Sequence, residues 1–135
     1  MIKKLLLTTS MLLLTATFLI FSQEKTDLEK NLEKLGLLSV AEQIPGIEVY
    51  MVYATPYNFM GEVLYEGLDE AYLVPEAMDK LRKAHEYLRK KRMDLHLVVY
   101  DAARPRSIQA RMWSIVEGTD LEDFVANPNK GKGGA

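Results

Sequence analysis

The stretch Asp94-Leu95-His96-Leu97-Val98-Val99-Tyr100-Asp101-Ala102-Ala103-Arg104-Pro105-Arg106 carries an apolar run straight into a charged turn, which a proline closes. Leu95, Leu97 and Val99 alternate with His96, Val98 and Tyr100, the pattern of a mostly buried strand. Pro105 has its own φ set by its ring, suits the first turn of a helix and pushes Arg104 towards extended backbone. The strand therefore delivers one guanidinium to a stiff, defined place beside Asp101. Taken by itself this is first of all an ion pair holding a corner, since structural pairs of this kind outnumber catalytic arginines.

Working outward, a helix is expected from Pro105 to about Glu117, with Ile108, Met112, Ile115 and Val116 on its apolar face and Gly118 at its end. Asp120 is placed to cap a last short helix through Ala126. Upstream, Pro75 opens the clearest helix, running to about Arg92, with Ala77, Leu81, Ala84 and Leu88 as its stripe. Its basic end, Arg89-Lys90-Lys91-Arg92, is a solvated C-terminus that suits the helix dipole. Thr26 to Leu38 reads as an amphipathic helix: Leu28, Leu32 and Leu35 recur, Thr26 or Asp27 caps it and Gly36 marks its end. Ser39 to Gly46 is a connector, Ile47 to Tyr53 a strand, and Ala54 to Gly61 an irregular loop. Val63 to Val74 suggests short extended pieces. The expected fold class is α+β, with helices packed on a small, mainly antiparallel sheet.

The chain has 135 residues, 48% hydrophobic, with no cysteine and a formal charge of −2. Met1-Ile2-Lys3-Lys4 precedes an apolar run from Leu5 to Phe21, and Ser22-Gln23-Glu24-Lys25 then turns polar. That layout predicts a secretory signal peptide over 1–22, cut after Ser22. An uncleaved anchor is the competing reading, because the run is near the lower limit for a membrane span. The exported part, 23–135, carries 15 basic and 19 acidic residues and is expected to be one domain, outside the cytoplasm and without stable membrane association. No basic stripe with interleaved aromatics points to nucleic acid. The lack of cysteine excludes disulfides and thiolate-bound zinc. His85 and His96 share no metal-binding spacing, and Gly-rich phosphate loops and GxSxG are missing from the sequence.

Three segments in order add a resemblance. Tyr53-Ala54-Thr55-Pro56-Tyr57-Asn58-Phe59-Met60-Gly61, followed by Tyr65, resembles the YATxxNFxG…Y segment of the D-alanyl-D-alanine dipeptidases, the zinc peptidases typified by the vancomycin-resistance dipeptidase. Asp101-Ala102-Ala103-Arg104-Pro105 looks like that family's DxxRP turn. Val125-Ala126-Asn127-Pro128-Asn129-Lys130-Gly131 is similar to the stretch before its first zinc motif. The resemblance implies single-zinc hydrolysis of the D-alanyl-D-alanine dipeptide in cell-wall metabolism. It assigns Arg104 to stabilising the negative charge of the transition state, a role that suits a fixed guanidinium beside a metal. Tyr53 and Tyr65 correspond to tyrosines near the substrate. Asn58 and Gly61 are expected to hold the loop's shape, and Asp101 to orient Arg104.

The family continues with SxHxxGxAxD and later ExxWxH, which supply the zinc ligands and the general base. Here Gly131 is followed by Lys132-Gly133-Gly134-Ala135. The expectation is therefore an N-terminal part of such an enzyme, truncated before the rest of the sheet, with no metal ligand, no activity of its own and a disordered tail over 127–135. The alternative is a non-catalytic exported remnant or a binder of peptidoglycan fragments. A related exported D,D- or L,D-carboxypeptidase fits the YATxxNFxG segment less well.

Overall fold

In the computed structural model, residues 24–130 are described. The expected signal peptide and the last five residues of the expected tail lie outside them. The architecture is mixed α+β, with four helices and two separate two-stranded ladders among the described residues. Helix α1 spans Asp27–Lys34, strand β1 Leu38–Ser39, helix α2 Val40–Gln43 and strand β2 Glu48–Val49. Strand β3 is Tyr72–Leu73, helix α3 Pro75–Lys91, strand β4 Val98–Val99 and helix α4 Arg106–Val116. β1 pairs antiparallel with β3, and β2 pairs parallel with β4. No helix among the described residues is long and apolar enough to cross a membrane.

Local chemistry explains the ends of α1. The Thr26 hydroxyl accepts from the Glu29 amide at 3.3 Å, and the Glu29 carboxylate accepts from the Thr26 amide at 2.9 Å, a reciprocal capping box. At the other end the Gly36 amide donates to Glu33 and the Leu37 amide to Leu32, with Gly36 at φ +84°. Only glycine adopts that left-handed turn at little cost, and it closes a Schellman motif. This early stop leaves Leu35 77% exposed, so the expected Leu28–Leu32–Leu35 stripe loses its last member.

Several other expectations are corrected. The connector 39–46 contains α2, whose Ser39 hydroxyl caps the Glu42 amide at 3.2 Å. Of the strand expected over 47–53, only Glu48–Val49 forms a regular ladder, although Tyr50 and Val52 still donate to Val99 and Tyr100 at 2.8 and 3.0 Å. The chain then coils into a 3₁₀ turn over Val52–Ala54, because the Tyr53 carbonyl is taken by the Leu64 and Tyr65 amides at 2.8 and 2.9 Å. On α3 the buried positions are Met78 and His85, with Leu81 and Leu88 half-buried, whereas Ala84 is exposed. His85, outside the stripe expected from Ala77, Leu81, Ala84 and Leu88, therefore turns inward in place of Ala84. The last helix shrinks to a 3₁₀ turn over Glu122–Phe124, after which Val125 is buried. Asn127 to Lys130, expected in the tail, folds into a turn in which the Asn127 side chain accepts from the Asn129 amide at 2.8 Å.

The core joins Val40, Ile44, Leu64, Leu68, Tyr72, Met78, Met112 and Val116. It thus draws on α2, β3, α3, α4 and the irregular segment 60–71. That segment contributes buried Met60, Leu64, Tyr65 and Leu68 without forming a regular element. The same core positions the turn that follows β4, because the Ala103 amide donates to the Tyr72 carbonyl at 3.0 Å.

Candidate functional site

β4 ends at Val99, and four residues later the chain is pinned to β3 through Ala103. Pro105, at φ −59° and ψ 142°, stands as the cap of α4 rather than its first residue. Arg104 is held between these two fixed points, so its backbone has little freedom before any side-chain contact is made.

The side chain is then gripped on three sides. Arg104 Nε donates to the Tyr65 hydroxyl at 3.0 Å, Nη1 to Gln109 Oε1 at 2.8 Å, and Nη2 to Asp101 Oδ2. Tyr65 in turn donates to Asp101 Oδ1 at 2.7 Å, and the same oxygen accepts from the Ala102 amide at 3.0 Å. The Tyr53 ring lies against the guanidinium, 5.0 Å from its centroid to Cζ, within cation–π range. Tyr53 also packs edge-on against Tyr65 and Phe59. Tyr65 is 1% exposed, while the Arg104 and Asp101 side chains keep 22% and 27% of their surface in water.

Burial opposes the charge on Arg104, but its bonds to Asp101 and Tyr65 outweigh that and hold its pKa above the ordinary value. Burial, and then the bond to Asp101, push the Tyr65 phenol well above its usual range. At neutral pH the cluster therefore holds a neutral phenol and a guanidinium, which stays protonated in proteins.

The loop carrying Tyr53 is stiffened as the sequence suggested. Asn58 Nδ2 donates to the carbonyls of Thr55 and Glu62 at 2.6 and 2.8 Å, and its Oδ1 accepts from the Met60 amide at 2.8 Å. Gly61 turns the chain at φ +70°. Thus Tyr53, Tyr65, Asp101 and Arg104, drawn from two motifs far apart in sequence, meet at one guanidinium. Gln109 was not singled out beforehand. Its signal was a polar residue three positions before Met112 and seven before Val116, on the buried face of α4.

The two histidines stand elsewhere. His85 is 5% exposed, and its Nδ1 has no hydrogen-bond partner among the described residues. His96, which precedes β4, has its Nε2 2.8 Å from Glu48 Oε1. Among the described residues no group of three or more His, Asp or Glu side chains could hold a metal ion. With one histidine turned into the core and the other paired with Glu48, the residues present do not fit a zinc site. Two depressions, of 260 and 540 Å³, are lined around Lys25, Glu70 and Tyr72 and around His85 and Arg89. Neither is lined by Arg104, so neither marks the same site.

No family model matches the chain, and no curated protein matches it significantly. The site therefore has to be read from its own chemistry. A fixed, half-buried guanidinium can bind an anionic oxygen or stabilise charge developing on one. It cannot abstract a proton, and the neutral, bonded Tyr65 is poorly placed to do so.

Proposed function

We propose that this chain is the arginine-bearing, N-terminal part of an exported zinc dipeptidase of the D-alanyl-D-alanine type, acting in cell-wall metabolism. In this reading Arg104 stabilises the oxyanion of the hydrolysed peptide bond. Tyr53 shields the guanidinium and contacts substrate, and Asp101 and Tyr65 hold the guanidinium in place. The substrate is the D-alanyl-D-alanine dipeptide; nucleic acid and stable membrane attachment play no part. The observation that carries the reading is the meeting of the YATxxNFxG…Y and DxxRP segments around one guanidinium. That convergence supports the reading, since Arg104 is the residue to which the resemblance assigns the chemistry.

When bound, zinc would supply an activated water and polarise the peptide carbonyl. Its ligands and the general base would have to come from residues other than those of this chain, which is consequently expected to be inactive alone.

The test has two arms. The purified 135-residue protein is assayed for zinc content, for D-alanyl-D-alanine hydrolysis, and for dipeptide binding by chemical-shift perturbation at Tyr53 and Arg104. Binding lost in Arg104→Ala, without hydrolysis or stoichiometric zinc, is the expected outcome. In parallel, the DNA following codon 135 is read in every forward frame for SxHxxGxAxD and ExxWxH. Dipeptide binding with neither motif in any frame would favour a non-catalytic binder of peptidoglycan fragments. No binding and no motif would sink the dipeptidase reading.

A further inference from the structure

Arginine presents five N–H donors in a rigid fork. In Arg104, three of them have partners among the described residues: Tyr65 at Nε, Gln109 at Nη1 and Asp101 at Nη2. One N–H on each terminal nitrogen has no described partner. Tyr65 and Asp101 hold one side of the fork, and the Nη1 side rests on Gln109.

Gln109 is 5% exposed and uses both ends of its amide. Oε1 accepts from Arg104 at 2.8 Å, and Nε2 donates to the Ala126 carbonyl at 2.6 Å. Turning the amide over would set donor against donor at Arg104 and acceptor against acceptor at Ala126, so its orientation is determined at both ends. Beyond Ala126 lies the turn closed by the Asn129 and Lys130 amides on Asn127. Val125, just before it, is buried in the core.

We propose that Gln109 is a positioning residue that couples the orientation of the Arg104 guanidinium to the docking of the segment from Val125 to Lys130. An ordered segment holds the amide, the amide holds Nη1, and the guanidinium keeps one orientation for an anionic ligand such as a carboxylate. Loosening the segment frees the amide to turn, and removing the amide frees both ends, whereas a carboxylate in its place would still accept from Arg104 whichever way it turned. The inference rests on the reading above only in taking Arg104 as the anion-binding group.

Ligand-free protein labelled with ¹⁵N suffices for the test. In the wild type, Arg104 gives separate, slowly exchanging Nη signals, and the Asn129 and Lys130 amides are protected. In Gln109→Leu, which removes both contacts, the Nη signals coalesce and exchange of those two amides accelerates about tenfold, the weight of one lost buried hydrogen bond. Gln109→Glu keeps an acceptor for Arg104 but loses the donor to Ala126. It therefore leaves guanidinium rotation slow while the Asn129 and Lys130 amides exchange faster.

A Gln109→Leu protein with the wild-type Nη pattern would overturn the proposal, as would a Gln109→Glu protein with unchanged exchange. Should Gln109→Leu fail to fold, Gln109→Glu decides alone: slow rotation with faster amide exchange supports the coupling, and any other combination refutes it. Dipeptide enters neither measurement, so failure of the dipeptidase reading would leave this result standing.

Discussion

Replacing Tyr65 by Phe deletes one hydroxyl from the centre of the arginine cluster and leaves the ring volume unchanged. The lost oxygen donates to Asp101 at 2.7 Å and accepts from Arg104 at 3.0 Å, so two bonds to charged partners go at once. Such bonds contribute roughly 1.5–3 kcal/mol each when fully buried. Here the partners stay paired with each other, and water reaches them because their side chains are 22% and 27% exposed. Discounting for both effects gives a loss of about 2 kcal/mol. For a domain of this size, that corresponds to a fall in melting temperature of roughly 10 °C. Urea and thermal unfolding followed by the fluorescence of Trp113, itself buried in the core, measure it directly. A change below about 0.5 kcal/mol would refute the reasoning, because it would mean that Tyr65 does not hold the guanidinium through its hydroxyl.

Further outcomes follow from other parts of the fold. Thr26→Ala removes the cap of α1 and the hydroxyl's bond to the Gly67 carbonyl, and should cost about 1–2 kcal/mol in urea unfolding, with Thr26→Ser recovering most of it. His85→Leu deletes a buried ring nitrogen without a partner, so stability should hold or rise by up to about 1 kcal/mol; a loss of that size would reveal a bonded Nδ1. Stability should also fall at alkaline pH. Burial, followed by Glu29 and Glu33, pushes the Tyr72 phenol up to about 12, and Tyr65 is raised as well. Both phenols stay protonated in the folded state after the unfolded ones ionise near pH 10, so their contribution is complete below pH 10 and is lost as pH rises through the folded values. Unfolding midpoints recorded between pH 8 and 12 alongside phenolate absorbance measure this, and Tyr65→Phe should show the shallower decline.

Much of this was legible along the chain because its causes are local. The cap at Thr26, the turn at Gly36, the helix opened by Pro75 and the stiffened Asp101–Pro105 corner each depend on residues a few positions apart. The α+β class and the placing of Arg104 just after a strand followed from the same short-range rules. The strand expected to be mostly buried, however, is only Val98–Val99 and half-buried, with Leu95 and Tyr100 exposed, because the core closes on other segments. Registers that depend on distant partners did not follow. Ala84 and His85 are neighbours on one helix, and only the packing of α3 onto the core decides which turns inward. The strand expected from Ile47 to Tyr53 breaks where amides from Leu64 and Tyr65 claim the Tyr53 carbonyl. The parallel pairing of β2 with β4 is likewise invisible in either strand alone.

For Arg104 the division runs through a single side chain. Residues 101 to 105 determine that a guanidinium stands at a rigid corner with Asp101 beside it, since the ring of Pro105 and the end of the strand leave the backbone little choice. What that guanidinium meets is decided by tertiary structure. Tyr65 reaches it from an irregular segment, Tyr53 from a 3₁₀ turn, and Gln109 from the buried face of α4, anchored on Ala126. Hydrogen bonds and ring contacts act over only a few ångströms, so partners separated by tens of residues come within range only when the core closes around them.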